Sequence, residues 1–321
     1  MHEEHNTFSP FITARGTLYL VAKAIVAAAS AGIFFIAIAR SLPTVSELGL
    51  FQGLQYLITI SVTLAGSGLS RASVRYISVY IGAGKENIAK KIHLSVFIMG
   101  LGLSALFSIM IYASANYLSF LLFHDIAYAY VVQLASVDVF LFTMIIYSTS
   151  LLYALQAFSK VVIISIVNSL LKFSVAFSLV LLGMSIGGII IGFIAGDALG
   201  LTLFLYALMP KFLKTRLASL VEIKPLFSYS LPLYGHSVLL YISTEMDVYL
   251  LLILSSLSTV GTYSPAVLIG TVLFLLLTAL DQSIAPLFSR IYGRSGLKSL
   301  SELSRFASRY IFLIYLPIGF A

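Results

Sequence analysis

Residues 76–84 read YISVYIGAG, and residues 288–296 read FSRIYGRSG. The two segments are 212 residues apart, and the same offset pairs ELGLFQ (47–52) with TVGTYS (259–264). Small and aromatic residues keep their order throughout, for example Gly49 with Gly261 and Tyr80 with Tyr292. An offset held without a gap from residue 46 to residue 84 indicates an internal repeat.

The glycines and lysine of the first segment also suggest a phosphate-binding loop. A P-loop requires a glycine where Val79 stands and a serine or threonine where Glu86 stands. A strand should precede the loop, whereas an apolar run precedes this one. The spacing therefore excludes a nucleotide site and leaves a turn between two helices.

Composition places the whole chain in a membrane. The 321 residues are 60% hydrophobic and only 10% charged, against about a quarter in soluble domains. Apolar runs of roughly 20 residues, enough to cross a bilayer, recur along the chain. Nine spans are predicted: 16–39, 47–70, 92–117, 129–155, 161–183, 186–209, 226–253, 257–283 and 306–321.

The loop charges predict the orientation. Sixteen of the nineteen lysines and arginines fall in the N-terminal tail and in alternate connections, and the opposite connections hold only Arg40. Positive residues are retained in the cytoplasm, so we expect a cytoplasmic N-terminus in the cytoplasmic membrane. The net charge of +7 thus follows membrane topology and does not indicate nucleic acid.

The repeat and the spans together predict two lobes. Six spans separate the copies, so both copies cross the membrane in the same direction. We expect a six-helix lobe over 1–213 and an incomplete second lobe over 214–321. The final run remains apolar to its end, which suggests a truncated chain.

Two stretches of the sequence resemble a known protein family. LGLFQGLQYLITISVTLAGSGLSRASVRYISVYIGAGKENIAKK (48–91) is similar to the second span and cytoplasmic hairpin of polysaccharide-type flippases. These belong to the multidrug/oligosaccharidyl-lipid/polysaccharide exporter superfamily. SLPL (230–233), Asp247, VGTYS (260–264) and APLFSRIY (285–292) follow the pattern of the second lobe. The resemblance implies an all-α protein of twelve to fourteen spans, of which about nine are present here.

The resemblance implies a transporter that flips a lipid-linked oligosaccharide or polysaccharide precursor by alternating access. The alternatives are a cation-coupled multidrug exporter of the same superfamily and a membrane-embedded glycan polymerase. A polymerase would need a large outer loop or a loop-borne acidic pair, and the outer loops are short. We therefore expect a protein without enzymatic activity. Its expected partners are the lipid-linked glycan substrate and membrane lipids. Cysteine is absent and the five histidines have no ligand spacing, so no metal or cofactor is expected.

Two charges within the spans are expected to pair. Lys172 and Asp197 lie about eleven and twelve residues from the cytoplasmic ends of their spans, so both are near the midplane. Placing a charged side chain near the bilayer midplane costs free energy, so such a residue is expected to have a partner or a function. The pair either docks two helices or acts as a proton- or cation-linked switch.

Other polar residues are candidates for the substrate cavity. Lys23 either reaches the cytoplasmic surface or attracts a lipid-linked phosphate, and His236 lies near its repeat equivalent. Gln52 and Gln55 share a helix face and could bond sugar hydroxyls or neighbouring helices. Asp138 is a cavity-rim group or an interhelical hydrogen-bond acceptor. Asp247 is favoured by the resemblance, whereas Glu245, two residues earlier, is expected at a solvated helix end.

Glycines and a proline predict local shape. Gly188, Gly192, Gly196 and Gly200 are four residues apart, so one face of span 6 should allow close approach of another helix. Pro232 is expected to kink span 7.

Overall fold

Helices make up all the regular structure that is described. The computed structural model describes residues 10–212, 224–268, 288–289 and 291–293. In chain order the helices are α1 (Pro10–Ser41), α2 (Val45–Gly82), α3 (Glu86–Ala113), α4 (Ala115–Phe123), α5 (Ala129–Ala154), α6 (Phe158–Leu179), α7 (Ser185–Phe212), α8 (Lys224–Leu254) and α9 (257–268). A 3₁₀ turn (Ile126–Tyr128) precedes α5, and a π turn (Val180–Met184) follows α6. The predicted all-helical class is confirmed for these residues.

The ends of α2 show how local sequence sets the helix boundaries. Thr44 caps the first turn, and its hydroxyl accepts a hydrogen bond from the Glu47 N–H at 3.2 Å. At the other end Gly84 has a φ of +73°, and the Lys85 N–H donates to the Tyr80 carbonyl at 2.8 Å. Glycine adopts this left-handed conformation without steric penalty. The segment that resembled a phosphate loop is therefore a helix C-cap and turn.

A tight hairpin joins α6 to α7. Gly183 has a φ of 85° and Ser185 a φ of 43°, which reverses the chain direction within a few residues. The two helices then pack against each other along their length. Both are apolar over most of their length, so they form one continuous stretch of high mean hydropathy from Phe158 to Met209 in sequence.

The described helices match most of the predicted spans. Six stretches are long and apolar enough to cross a membrane, and the one from Phe158 to Met209 contains both α6 and α7. Each of the first seven predicted spans therefore coincides with a described helix or pair of helices, and α9 corresponds to the beginning of the eighth span. Span three differs, because α3 ends at Ala113 and a separate helix, α4, follows. Most of the eighth span and all of the ninth lie outside the described residues.

Helix α2 is central in the bundle and contacts α3, α5 and α8. The buried Tyr147 side chain of α5 donates a hydrogen bond of 2.8 Å to the Ala65 carbonyl of α2. On the opposite side, the hydroxyls of Tyr241 and Tyr249 on α8 both donate to the Tyr56 carbonyl, at 3.1 and 2.8 Å. The two tyrosine hydroxyls of α8 thereby connect the predicted second lobe to the predicted first lobe.

The two copies of the repeat meet at equivalent glycines. A Cβ built on Gly49 would overlap the Leu257 carbonyl, and one built on Gly261 would overlap the Val45 carbonyl. The offset of 212 pairs Gly49 with Gly261 and Val45 with Leu257, so the two contacts join equivalent residues of the two copies. Helices α2 and α9 therefore cross on the pseudo-twofold axis of the two-lobed fold, where only glycine fits.

Candidate functional site

A cavity of about 470 Å³ lies between α2 and the α6–α7 hairpin. We call it the triad cavity, because three neighbouring charged residues line it: the buried Asp138 of α5 and Asp197 of α7, and the partly buried Lys172 of α6. Its other polar lining includes Gln52 and Gln55 on α2, Asn168 on α6, and Glu245 on α8. The cavity therefore draws its polar groups from both predicted lobes.

The three triad charges are unequally paired. Lys172 Nζ lies 2.8 Å from Asp197 Oδ2 and 4.0 Å from Asp138 Oδ2. Both carboxylate side chains are 1% exposed, and the lysine side chain is 15% exposed. The lysine therefore hydrogen-bonds Asp197 and has only a longer electrostatic contact with Asp138.

The glycine face of α7 allows this pairing. Gly192, Gly196 and Gly200 face Ala176, Lys172 and Asn168 of α6 in antiparallel register. A Cβ on Gly196 would lie 2.5 Å from Lys172 Cβ and 2.6 Å from its Cα. The predicted packing role of these glycines is confirmed, and the close approach places the Lys172 side chain beside Asp197, the next residue along α7.

Aromatic rings form the apolar wall of the triad cavity. Phe34 of α1 stacks on Phe173 of α6 with ring centroids 4.5 Å apart and planes inclined by 17°. Lys172 Nζ lies 4.2 Å from the ring centroid of Phe193 and 5.2 Å from that of Phe142. A cation over an aromatic face is stabilised by the ring quadrupole, which adds to the salt bridge in holding the ammonium in place.

A second and larger cavity, of about 1060 Å³, lies beside the C-terminal half of α2. We call it the arginine cavity, because Arg71 and Arg75 line it together with Lys23. None of the described residues that line it is acidic. The two cavities share Phe142, Asn168 and Ser169 as lining residues, so they adjoin each other along the bundle.

Tyrosines hold two of the basic groups in the arginine cavity. Lys23 Nζ donates a hydrogen bond of 3.2 Å to the Tyr153 hydroxyl and lies 5.9 Å from the centroid of that ring. The Arg75 guanidinium lies 4.1 Å over the ring of Tyr229. Both partners are neutral, so the three basic charges have no carboxylate counter-ion among the described lining residues.

The structure divides the predicted cavity residues into three groups. Gln52, Gln55 and Asp138 line the triad cavity, and Lys23 lines the arginine cavity. His236 and Asp247 are exposed and line neither of these cavities.

The placement of the two acidic residues on α8 differs from the sequence-based expectation. Asp247 Oδ2 accepts a hydrogen bond of 2.6 Å from the Tyr263 hydroxyl, away from both cavities. Glu245, which was expected at a solvated helix end, lines the triad cavity. Residues two apart on a helix point in opposite directions, so the rotation of α8 decides which of them faces inward.

Sequence reasoning also missed the two arginines of the arginine cavity. Arg71 and Arg75 stand one helical turn apart, just beyond the predicted end of span two. They were counted only among the basic residues that predict the orientation of the chain, because the apolar run ends before them. Their spacing of four residues, one helical turn, was the available signal that they share a helix face.

Solved structures of transporters share this fold. A multidrug resistance MATE family transporter of the MOP superfamily superposes with a TM-score of 0.77 at 14% identity, covering 95% of this chain and 71% of its own. A mutant of the Vibrio cholerae MATE transporter VcmN superposes with a TM-score of 0.79 at 16% identity, covering 97% of this chain and 72% of its own. A MOP superfamily transporter from Pyrococcus furiosus superposes with a TM-score of 0.77 at 14% identity, covering 95% of this chain and 71% of its own. At these identities the likeness shows the fold.

The family assignment comes from sequence. A search of curated proteins found no significant match. Residues 13–292, however, match the family described as Polysaccharide biosynthesis protein. This chain is therefore a multi-pass membrane protein that belongs to the polysaccharide biosynthesis protein family and has the two-lobed transporter fold of the MOP superfamily.

Proposed function

We propose that this membrane transporter flips a lipid-linked oligosaccharide across the cytoplasmic membrane. The observation that carries the proposal is the arginine cavity, in which Lys23, Arg71 and Arg75 face a large space without any described acidic lining residue. Such a cavity favours an anion and disfavours an organic cation. The phosphate or diphosphate that joins a glycan to its lipid carrier is an anion of suitable chemistry.

The chemistry of the basic groups supports this ligand. A guanidinium offers N–H donors in a planar fork that matches two phosphate oxygens, and it stays charged at any physiological pH. Arg75 contacts the Tyr229 ring through a cation–π interaction, with its guanidinium carbon 4.1 Å from the ring centroid, and the ring supplies no carboxylate that would compete with a phosphate. In a site of low dielectric such charge-assisted hydrogen bonds are stronger than in water.

The loop charges suggest where the substrate enters. The arginine cavity lies beside the half of α2 that leads to the hairpin with Lys85, Lys90 and Lys91. The positive-inside rule favours a cytoplasmic location for this hairpin and for the N-terminus. The lipid-linked glycan would then load from the cytoplasm, where its anionic group meets the basic cavity.

Alternating access would use the two lobes, which we place at 1–213 and 214–321. The crossing of α2 and α9 at Gly49 and Gly261 supports a pivot on the pseudo-twofold axis. Rocking about this crossing would open one end of the central space while closing the other. No covalent bond changes in such a cycle, in agreement with transporter homologues.

The second candidate is a cation-coupled multidrug exporter. The triad cavity favours it, because Asp138 and Glu245 stand among aromatic rings that would suit a flat organic cation. An exporter of this kind would bind its substrate in the triad cavity and would not need the arginine cavity. The two functions therefore depend on different residues.

Reconstitution in proteoliposomes tests the proposal. The probe is a polyprenyl-diphosphate-linked N-acetylglucosamine, and its exposure is followed with a membrane-impermeant sugar oxidant. We expect the double variant Lys23→Gln and Arg71→Gln to slow flipping at least tenfold. The matched control is Arg40→Gln, an exposed position that lines neither cavity.

Flipping that is unaffected by loss of Lys23 and Arg71 would reject the proposal. Efflux of rhodamine that requires Asp138, with no flipping of the glycolipid, would favour the multidrug exporter instead.

A further inference from the structure

We propose that the triad cavity is the sugar subsite of the transported glycolipid and that it accepts a neutral or amino sugar but rejects an acidic one. This rests on the proposed function and adds to it a specificity that the arginine cavity does not determine. The geometry assigns the discrimination to Asp138, with Glu245 as a second carboxylate.

Unpaired acceptors mark this cavity as a site for a hydrogen-bond donor. The Asp138 side chain is 1% exposed, and neither of its carboxylate oxygens accepts a hydrogen bond from a described N–H donor; its described charged neighbours are the Lys172 ammonium at 4.0 Å and the Asp197 carboxyl. Asn168 is 8% exposed, and its Oδ1 likewise accepts no hydrogen bond. Buried acceptors are normally paired, so both side chains offer acceptor positions to a donor on a ligand. Sugar hydroxyl and ammonium groups are such donors.

Lys172 does not supply the missing donor. Its ammonium hydrogen-bonds Asp197 and packs over the Phe193 ring, and Asp138 Oδ2 is 4.0 Å away. Among the described lining residues, three carboxylates thus stand against one ammonium in the triad cavity. An incoming carboxylate would find no unpaired cation there, because the one ammonium already pairs with Asp197, whereas a hydroxyl or an ammonium would find free acceptors.

The remaining lining matches the surface of a pyranose ring. A sugar presents an apolar C–H face and a hydroxyl edge, so its binding site needs aromatic rings beside carboxylates and amides. The triad cavity provides the rings of Phe142 and Phe173 and the amides of Gln52 and Gln55. A ligand site typically combines such an aromatic lining with a small number of placed polar groups.

The adjoining cavities would divide the polar head of the substrate between them. The basic arginine cavity would hold the diphosphate, and the triad cavity would hold a sugar. Phe142, Asn168 and Ser169 line both cavities, and they lie where the two parts of the head would join. The opposite charge of the two cavities then orients the head group in one direction.

The experiment measures binding of three methyl glycosides to the full chain in lipid nanodiscs by saturation-transfer NMR. Methyl glucoside, methyl glucosaminide and methyl glucuronide share one ring and differ in charge. We expect the first two to bind and the glucuronide to bind at least tenfold more weakly. Asp138→Asn should reduce the preference for glucosaminide over glucuronide at least tenfold, whereas Asp247→Asn, at a carboxylate outside both cavities, should leave it unchanged.

A second variant protects the test against misfolding. Should Asp138→Asn not give a folded protein by circular dichroism, Glu245→Gln, at a half-buried position, should shift the same preference in the same direction. Equal binding of all three glycosides, or an unchanged preference in a folded variant, overturns the inference. Binding of rhodamine without binding of any glycoside overturns it as well.

These results are separable from those of the flipping assay. Flipping that depends on Lys23 and Arg71, together with no discrimination among glycosides, would retain the proposed function and reject only the sugar subsite.

Discussion

Lys172 donates a hydrogen bond of 2.8 Å to the buried Asp197 across the α6–α7 hairpin, and the lysine side chain itself is partly buried. Asp138 stands 4.0 Å from the same ammonium, and its carboxylate oxygens accept no hydrogen bond from a described N–H donor. The lysine therefore stabilises the contact between two helices, and the second carboxylate is left facing the cavity.

Loss of the Asp197 charge should destabilise the protein. Asp197→Asn removes the charged partner that hydrogen-bonds the Lys172 ammonium, which costs about 1.5–3 kcal/mol, and Asp138, 4.0 Å away, remains as a counter-ion that keeps the loss below that of an uncompensated buried charge. The matched control is Asp247→Asn, at an exposed carboxylate, for which we expect a much smaller effect. Thermal melting by circular dichroism measures both.

The triple variant Lys172→Met, Asp138→Leu and Asp197→Leu should recover part of that loss, because it removes all three charges of the cluster and leaves none unpaired. A folded triple variant that is less stable than Asp197→Asn alone would show that the charges do more than dock the helices.

Gly192→Ala should separate α6 from α7. The added methyl group would overlap the backbone of Ala176, and overpacking typically costs about 1–3 kcal/mol. Gly102→Ala is the control, because nothing lies within 4 Å of its Cβ position. Removing a helical glycine there should be neutral or stabilising by about 0.5–1 kcal/mol. Equal melting temperatures for the two variants would contradict the close helix packing.

Gly261→Ala should act as a wedge between the lobes. Its methyl group would overlap the Val45 carbonyl at the crossing of α2 and α9. The chain has no native cysteine, so Gln52→Cys can report access to the triad cavity through its reaction with an impermeant thiol reagent. We expect labelling from the outside to be several-fold faster when Gly261→Ala is added.

Gly32→Ala provides the control for the wedge, since its Cβ position has open space around it. An unchanged rate with Gly261→Ala would indicate that this crossing does not limit access.

Tyr241 and Tyr249 should behave as a coupled pair. Both hydroxyls donate to the Tyr56 carbonyl, and they lie 3.3 Å from each other. Each single change to phenylalanine should cost about 0.5–1.5 kcal/mol. The double change should differ from the sum of the two, because either hydroxyl can serve the carbonyl when the other is missing. Thermal melts of the two single variants and the double variant measure this, and strict additivity would contradict the coupling.

Much of the fold could be predicted because a membrane restricts it. Each span must be a closed, apolar helix of sufficient length, so apolar runs and loop charges locate the helices. The glycines of α7 were informative because residues four apart share one helix face. The break at Ser114 was missed because the sequence remains apolar through α3 and α4, and nothing in the composition marks the interruption.

The candidate site was less predictable. Depth along the helices suggested that Lys172 and Asp197 lie at the same level, but it did not show that Asp138 lies close to both. Asp247 was favoured over Glu245 by resemblance, and the rotation of α8 reverses their exposure to the triad cavity. Arg71 and Arg75 were counted as orientation charges of a cytoplasmic connection, because nothing along the sequence showed that α2 would carry them beside a cavity.

The sequence by itself determined the helical membrane class, the order of the spans and the repeat with its offset of 212. These properties follow from hydropathy and periodicity along the chain. Only the tertiary structure decided which polar side chains share a cavity. Apolar residues surround these helices on all sides, so the sequence does not mark the inward face. That face is set by the contacts between helices, such as Gly196 with Lys172 and Gly49 with Leu257.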